Sequence, residues 1–435
     1  MAAVNTREIV LDMLLMVERE EEYFHRIIRS VLDKYDYLSG QEKAFMKRLF
    51  EGCIERRLEL DYYINHFASM PVKKMKPLIR CLLRMGTYQI LYMDAVPDAA
   101  AVSEAVKLAG KRKFRNLSGF VNGILRKVVA NKAELSLPDR EKAPKDYLSV
   151  TYSMPEWIVE HFLVTYSLEE TEQILKGLMD IRPVCIRFAG RLGEEERDSL
   201  IKGMERMGVE VCKHPAVAEA FYLKNCDNIA TLADYEDGAF TVQDASSMMA
   251  VAAADIKEGD YVLDICAAPG GKSMLAAEYA GANGHVDARD VSDFKVSMIE
   301  ENVERMGLSN VSVKVWDARI ADESVTEKAD VVIADVPCSG LGVMGKKRDI
   351  KYRQKPEAME EIIKLQKEIV KNAVSYVKKG GILLYSTCTI NPAENEEMAE
   401  WICREFSFTK ESSTQLLPGV HDTDGFFFAR LRKPL

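Results

Sequence analysis

The chain has 435 residues, a net charge of −9 and 47% hydrophobic residues, an ordinary composition for a globular protein with sizeable cores. This length predicts two or three domains. No apolar run reaches the roughly 18 residues of a membrane span, and the N-terminal segment lacks the apolar core of a signal peptide. We therefore expect a cytoplasmic protein that does not contact a membrane.

The nine cysteines bear on both metal binding and redox state. They are odd in number and include no Cys-x-x-Cys pair, which argues against a disulfide framework and against a zinc site. We expect reduced thiols and no metal.

Basic residues are unevenly distributed along this acidic chain. Residues 1–140 hold 24 Lys and Arg against 18 Asp and Glu, whereas the remainder holds 35 against 50. Residues 105–133 contain eight basic residues and no acid, and residues 346–355 contain six with one acid. An acidic protein binds nucleic acid through local basic surfaces, so these two runs are candidate nucleic-acid surfaces. Either run could instead be a solvated face.

The first third of the chain predicts an all-helical domain. Apolar residues recur at helical spacing, as in Ile9–Val17 and Leu78–Ile90, between short Ser-Gly and Pro-containing breaks. Within this region, Ala101–Val106 and Gly119–Arg126 resemble the NusB-type RNA-binding helical domain. The resemblance implies that residues 1–135 form a domain that docks on RNA.

The remainder predicts two further regions. Residues 183–225 alternate short apolar runs with one amphipathic helix, which indicates a small α+β (RRM-like) subdomain within a middle region, 136–235. From Tyr261 onward, strands and helices alternate, as in a mostly parallel sheet covered on both faces. Residues 236–435 are therefore predicted to form a Rossmann-like α/β domain, and the fold class is multidomain.

The stretch from Tyr261 to Ser273 predicts a ligand site. It reads as a buried strand, a Pro-Gly-Gly turn and the start of a helix. Ligands of parallel sheets bind at the carboxyl ends of strands, where glycines and free helix N–H groups suit polar or anionic groups. A phosphate-binding P-loop is disfavoured because Cys266 stands where that motif needs glycine, and the dinucleotide pattern G-x-G-x-x-G is absent. The predicted loop comprises Cys266, Ala267, Ala268, Pro269, Gly270, Gly271 and Lys272.

Polar residues follow the other candidate strands. Asp290 follows the second strand at the spacing of an acid that binds ribose hydroxyls, and the alternative is a cap for the next helix. Cys338 and Cys388 follow two later strands at equivalent positions, without metal-ligand spacing, which favours covalent chemistry. A thiol becomes a thiolate only near a positive charge or a base, and Lys272 is a candidate for that charge.

Three segments in combination, Leu263–Lys272, Asp335–Gly345 and Tyr385–Glu396, closely resemble the RNA cytosine-C5 methyltransferases of the NOL1/NOP2/Sun family. The resemblance implies S-adenosyl-L-methionine as the cofactor, held by residues 266–272. It implies that Asp290 binds the ribose hydroxyls, and that Asp317 and Asp335 lie against the adenine and methionine ends.

The same resemblance implies catalytic roles. Cys388 corresponds to the nucleophile that adds to C6 of cytosine, and Cys338 to the cysteine that helps to release the product. Asp335, protonated or hydrogen-bonded to N3, would stabilise charge in the ring, with Lys272 beside it. Together with the NusB-like helical domain, this implies a specific cytosine of 16S ribosomal RNA, in RNA that is not yet fully assembled. The target base must leave its stack, so we expect it in a flexible or single-stranded region. We expect a monomer.

Three alternatives remain open from the sequence. The target could be transfer RNA or another ribosomal site. A DNA cytosine methyltransferase would use the cysteine of its Pro-Cys motif, here Cys338, as the nucleophile, and Thr387-Cys388 argues against it. A non-catalytic RNA-binding factor would need only residues 1–130, and the intact set of site residues argues against it.

Overall fold

The computed structural model describes residues 4–19, 23–226 and 228–435. The chain divides into two compact units. The first runs to Met179 and includes Met344–Arg353, and the second comprises Asp180–Val343 and Gln354–Leu435. The predicted domain boundaries near residues 135 and 235 remain a prediction.

The first unit is helical, as the apolar spacing predicts. Local signals define its helices: Ser39 and Glu42 form a capping box before the third helix, and Pro77 opens the fifth. Two apolar clusters, one containing Phe50 and the other Ile79, form its core. The helices are α1 (Thr6–Glu18), α2 (Phe24–Lys34), α3 (Gly40–Glu55), α4 (Arg57–Phe67), α5 (Pro77–Tyr92), α6 (Asp98–Lys111), α7 (Ser118–Asn131), α8 (Pro144–Thr151), α9 (Glu156–Thr165) and α10 (Leu168–Met179).

The second unit begins with a small antiparallel sheet, in agreement with the predicted α+β subdomain. Its elements are β1 (Val184–Phe188), α11 (Glu194–Arg206), β2 (Glu210–Lys213), β3 (Ala220–Lys224), α12 (Ala233–Glu236) and β4 (Phe240–Val242). The strand order is β2-β3-β1-β4. Alternate residues face opposite sides, so Ile186 packs with Met204 of α11, whereas Cys185 packs with the larger core that follows.

A seven-stranded sheet dominates the second unit. Its elements are α13 (Ala245–Ala254), β5 (Tyr261–Asp264), α14 (Gly271–Ala280), β6 (His285–Asp290), α15 (Asp293–Met306), β7 (Val311–Val315), β8 (Ala329–Asp335), α17 (Pro356–Tyr376), β9 (Val377–Thr387), α18 (Glu396–Phe406), β10 (Thr409–Leu416) and β11 (Phe426–Arg432). The one-turn helix α16 (Ile350–Arg353) lies between α15 and α17 in sequence and belongs to the first unit.

The strand order is β10-β11-β9-β8-β5-β6-β7, with β5 to β9 parallel and β11 antiparallel to both of its neighbours. The central strands are buried on both faces because α17 and α18 cover one face, while α13 and α14 cover the other. The five parallel strands are those that the sequence predicts. None of the described helices is both long and apolar enough to cross a bilayer.

Candidate active site

The loop after β5 lies at the carboxyl end of the parallel strands, where the sequence places the ligand. Gly270 has φ of +105°, which an L side chain rarely adopts, and it precedes the first residue of α14. The Oγ of Ser273 donates to Asp264 Oδ2 at 2.6 Å, tying the end of the strand to the start of the helix. Asp264 is almost completely buried, and burial raises its pKa to about 7.

A cavity of about 170 Å³ lies beside this loop. Its lining consists of Val242, Gln243, Asp244, Ser247, Asp264, Cys266, Ala267, Ala268, Pro269, Gly271, Lys272 and Asp335. The structure thus brings the predicted loop, Lys272 and Asp335 together around one space. Cys266 is a wall of this cavity, and burial raises the pKa of its thiol, so it remains protonated.

Gln243 is a cavity residue that sequence reasoning missed. Arg187 Nε donates to Gln243 Oε1 at 3.0 Å, which fixes the orientation of the amide. The Nε2 atom on the other side is buried and has no hydrogen-bond partner among the described residues. A buried donor without an acceptor costs free energy, so it is suited to an acceptor atom of a bound ligand. No local sequence signal distinguishes this glutamine.

Lys272 and Asp335, which both line the cavity, form an ion pair. Lys272 Nζ donates to Asp335 Oδ2 at 2.6 Å, and Ser386 Oγ donates to Oδ1 at 2.8 Å. Burial opposes the charge on Lys272, but the attraction of Asp335 and Asp264 outweighs burial and raises its pKa. The ammonium group also lies 5.1 Å from the ring centroid of Phe426. Lys272 is therefore a fixed positive charge.

Cys338 and Cys388 meet at the ends of neighbouring strands. Parallel pairing of β8 with β9 sets Asp335 opposite Ser386. Each of the two strands is followed by a loop that carries one cysteine. The two Sγ atoms are 3.2 Å apart. The hydrogen bond to Cys388, followed by burial, raises the pKa of Cys338, so Cys338 is a protonated thiol. The charge of Lys272 also interacts with Cys388.

The two other predicted carboxylates differ in their surroundings. Asp290 is buried and accepts hydrogen bonds from Ala268 N–H at 3.0 Å and Val291 N–H at 2.7 Å, with Lys295 Nζ at 3.0 Å. It therefore lies against the predicted loop. Asp317 is half-buried and binds the Arg319 guanidinium, which holds the pKa of this carboxyl below its usual range. The structure does not place Asp317 in the cavity lining.

Four cations of the first basic run form ion pairs with acidic residues of the first unit that lie outside the run. Because the run itself contains no acid, the sequence does not reveal these pairs. Lys107 pairs with Glu104, Lys111 and Arg112 with residues of α1, and Lys132 with Asp98. The other four exposed cations have no acidic partner among the described residues. They are Lys113, Arg115, Arg126 and Lys127.

Two cations of the second basic run have structural contacts, whereas Lys346, Lys347 and Lys355 are exposed, so a nucleic-acid surface at this run stays a prediction. Arg348 forms ion pairs with Glu51 and Glu55 of α3, and Lys351 is buried and donates to the Glu55 carbonyl at 2.8 Å. Burial lowers the pKa of Lys351 to about 7. These side chains fasten the segment within the first unit, because their charges are satisfied by protein groups and not by solvent.

Comparison with known proteins matches both parts of the chain. The model of the family described as 16S rRNA methyltransferase RsmB/F matches residues 251–432, and the NusB family model matches residues 4–130. The probable ribosomal RNA small subunit methyltransferase B of Bacillus subtilis is 33% identical over 452 residues, covering the whole of both chains. The resemblance to both families is therefore confirmed.

Solved structures agree with the fold. The crystal structure of a protein named PH0851 has a TM-score of 0.81 and 26% identity, covering 99% of each chain. NSun6 from Pyrococcus horikoshii, solved with an S-adenosylmethionine analogue, has a TM-score of 0.59 and 22% identity, covering 64% of this chain and 98% of that one. That second likeness supports the fold alone.

The residues of the cavity fit S-adenosylmethionine, the predicted cofactor. The N-terminus of α14 offers free backbone N–H groups, and the orphaned amide donor of Gln243 adds a further group suited to polar ligand atoms. S-adenosylmethionine is accordingly the cofactor, as the sequence predicts. Because the chain is 33% identical to a named relative over its full length and matches the family model, it belongs to the RsmB family of ribosomal RNA small subunit methyltransferases.

Proposed function

We propose that this protein transfers a methyl group to C5 of a specific cytosine in 16S ribosomal RNA, through a covalent bond between Cys388 and C6. The observation that carries this proposal is the pair of sulfur atoms 3.2 Å apart beside the Lys272–Asp335 ion pair. A single reactive thiol would serve many reactions, but two thiols next to a carboxylate suit addition to a pyrimidine ring followed by release.

The order of bond changes follows from the chemistry of cytosine. C5 is a poor nucleophile until the Cys388 thiolate adds to C6, which turns the ring into an enamine. S-adenosylmethionine supplies, when bound, an electrophilic methyl group on its sulfonium. After C5 has gained the methyl group, a water molecule takes the C5 proton, and the electrons of the C–H bond expel Cys388 from C6 as a thiolate, which restores the aromatic ring. Cys338 helps this release.

The surrounding groups support this division of labour. Cys338 holds its proton and lies within hydrogen-bond distance of Cys388, so it is suited to donate to the attacking sulfur and not to attack. Lys272 provides a buried positive charge near Cys388 that favours a thiolate. Asp335 is held by Lys272 and Ser386, in a position to hydrogen-bond the edge of a flipped cytosine.

The proposed RNA target is inferred from the named relatives and from the N-terminal helical domain. The relative from Bacillus subtilis is named for small-subunit ribosomal RNA and is similar along the whole chain. We assign residues 1–135 to an RNA-docking domain, 136–235 to linker helices and the small α+β subdomain, and 236–435 to catalysis. The target is expected in the cytoplasm, in RNA whose bases are still accessible. Transfer RNA is the second candidate target.

Mapping 5-methylcytosine in ribosomal RNA tests this function. A strain lacking the gene should lose one 5-methylcytosine in 16S ribosomal RNA, and the wild-type gene should restore it. Complementation with Cys388→Ser should not restore it. Retention of every 5-methylcytosine in 16S RNA, with loss of one in transfer RNA, would establish the second candidate instead.

A further inference from the structure

Behind the two cysteines lies a buried carboxylate that the reaction scheme does not use. Glu394 belongs to a short 3₁₀ turn, Pro392–Glu394, and its side chain is completely shielded from solvent. Burying a carboxylate is costly unless hydrogen bonds replace its water shell. The groups that replace this shell come from the two loops that carry the cysteines, and from α17.

Four neutral donors surround the Glu394 carboxylate. The backbone N–H of Ser339 donates to Oε2 at 2.9 Å, and the Ser339 hydroxyl donates to Oε1. Gln366 Nε2 donates to Oε2 at 2.9 Å, and Asn391 Nδ2 donates to Oε1 at 2.9 Å. Ser339 directly follows Cys338, and Asn391 lies three residues after Cys388. One carboxylate therefore holds both cysteine loops.

Further hydrogen bonds make the connection between the loops rigid. The hydroxyls of Ser339 and Thr389 are 2.7 Å apart, which joins the residues that directly follow the two cysteines. Gln366 also donates to the Pro337 carbonyl at 3.0 Å, and Tyr385 Oη donates to the Glu394 carbonyl at 2.6 Å. Pro337, Ser339 and Thr389 are direct sequence neighbours of the two cysteines. Gln366 lies on α17 and Tyr385 on β9, so both are held by regular secondary structure.

We propose that Glu394 is a positioning residue that holds Cys338 and Cys388 at their mutual distance by clamping the two loops together. This inference rests on the proposed function for its consequence, because attack and release both require the two sulfur atoms at one face of the base. Each carboxylate oxygen accepts two of the four hydrogen bonds, so both oxygens take part in the clamp. Loss of the clamp leaves the thiols intact and separates them.

Thiol proximity tests the clamp without RNA and without methyl transfer. Diamide accepts the two hydrogen atoms of a thiol pair and yields a disulfide, at a rate that depends on how readily the sulfur atoms approach bonding distance. Mass spectrometry of the full-length protein follows formation of the Cys338–Cys388 disulfide. Glu394→Gln and Glu394→Ala should slow it by about tenfold or more, since a displacement of about 1 Å is costly in such reactions.

Matched variants separate positioning from general damage. Glu397→Gln changes an exposed glutamate three residues away and should form the disulfide at the wild-type rate. The double change Glu394→Gln with Asn391→Asp exchanges donor and acceptor and keeps one buried carboxylate, so it should recover most of the rate. In Glu394→Gln, the thermal unfolding temperature and the affinity for S-adenosylhomocysteine should stay close to the wild-type values. With RNA as substrate, kcat should fall while KM stays unchanged.

A folded Glu394→Gln that forms the disulfide at the wild-type rate would overturn the clamp. If Glu394→Ala does not fold, Ser339→Ala provides the same test, because it removes one donor and leaves the carboxylate; a wild-type rate in that variant would also refute the proposal. Failure of the proposed cytosine chemistry would leave the disulfide rates unchanged. The two ideas therefore fail in different experiments.

Discussion

The sulfur atoms of Cys338 and Cys388 lie 3.2 Å apart although the two cysteines are 50 positions apart along the chain. Parallel pairing of β8 and β9 produces this proximity, because it brings the two strand ends to the same edge of the sheet.

Cys388→Ser should neither methylate RNA nor form a covalent adduct. Cys338→Ser should still attack, fail to release and accumulate a protein–RNA adduct. A denaturing gel of each variant with RNA and cofactor is the measurement.

The opposite pattern on that gel would exchange the roles. A covalent band for Cys388→Ser and none for Cys338→Ser would mean that Cys338 attacks the base, as in a DNA-type mechanism. Cys403→Ser is a suitable control because that cysteine lies on α18 and in neither of the two loops, and it should behave as wild type.

Asp290 is predicted to bind the ribose of the cofactor. Asp290→Ala should weaken binding of S-adenosylhomocysteine by about 1.5–3 kcal/mol, the range for a hydrogen bond to a charged group. Isothermal titration calorimetry provides the affinity. Asp293→Ala, a change of an exposed acid at the start of α15, should have no effect. An unchanged affinity in Asp290→Ala would refute the assignment.

Gln243 is predicted to donate to the bound cofactor through its orphaned amide. Gln243→Met keeps most of the volume and removes the donor, and it should weaken S-adenosylhomocysteine binding by about 1 kcal/mol, the usual contribution of one hydrogen bond. Ser247→Ala changes another cavity-lining residue and serves as the control. If Gln243→Met binds as tightly as wild type, the amide makes no contact with this ligand.

Four exposed cations of the first basic run, for which the described part of the chain offers no acidic partner, are predicted to bind RNA phosphates. The double variant Arg115→Gln/Arg126→Gln should reduce the log–log salt slope of RNA binding by about 1.5, because each neutralised phosphate contributes about 0.7–0.9 to that slope. Lys107→Gln/Lys111→Gln removes two cations that already have acidic partners and should change the slope less. Filter binding at several salt concentrations provides the slopes. Equal slopes for wild type and Arg115→Gln/Arg126→Gln would assign the run to a solvated face.

Asp264 is predicted to make stability depend on pH. Burial raises its pKa from 3.8 to about 7, so the native state binds this proton more tightly than the unfolded chain does. The stability that this proton contributes is complete below pH 3.8 and is lost as pH rises through 7. Over that interval the loss is up to about 4 kcal/mol, at about 1.4 kcal/mol per pH unit.

Chemical denaturation of the ligand-free protein between pH 4.5 and 8 measures this dependence. In Asp264→Asn the side chain does not titrate, so the fall in unfolding free energy between pH 4.5 and 8 should be smaller by about 3 kcal/mol. Parallel stability curves for wild type and Asp264→Asn would show that Asp264 keeps an ordinary pKa in the folded protein.

The sequence predicts the elements that local chemistry specifies. The five parallel strands are apolar runs between turns, and the cofactor loop is a strand followed at once by Pro269-Gly270-Gly271, so short stretches suffice to recognise them. The antiparallel strands β10 and β11 escape prediction from pattern. Residues 409–413 of β10 are polar and exposed, because β10 is an edge strand with only one neighbour.

Some features of the site can likewise be predicted from the sequence, and others depend on the tertiary structure. The residue types and the order of Lys272, Asp335, Cys338 and Cys388 are properties of the sequence, and they determined the family to which the chain belongs. Only the tertiary structure decided that the two thiols touch and that Glu394 joins both cysteine loops. It also decided that the buried amide donor of Gln243 has no partner among the residues that the structure describes. Hydrogen bonds between residues about 50 positions apart depend on strand pairing and burial, and no local pattern encodes them.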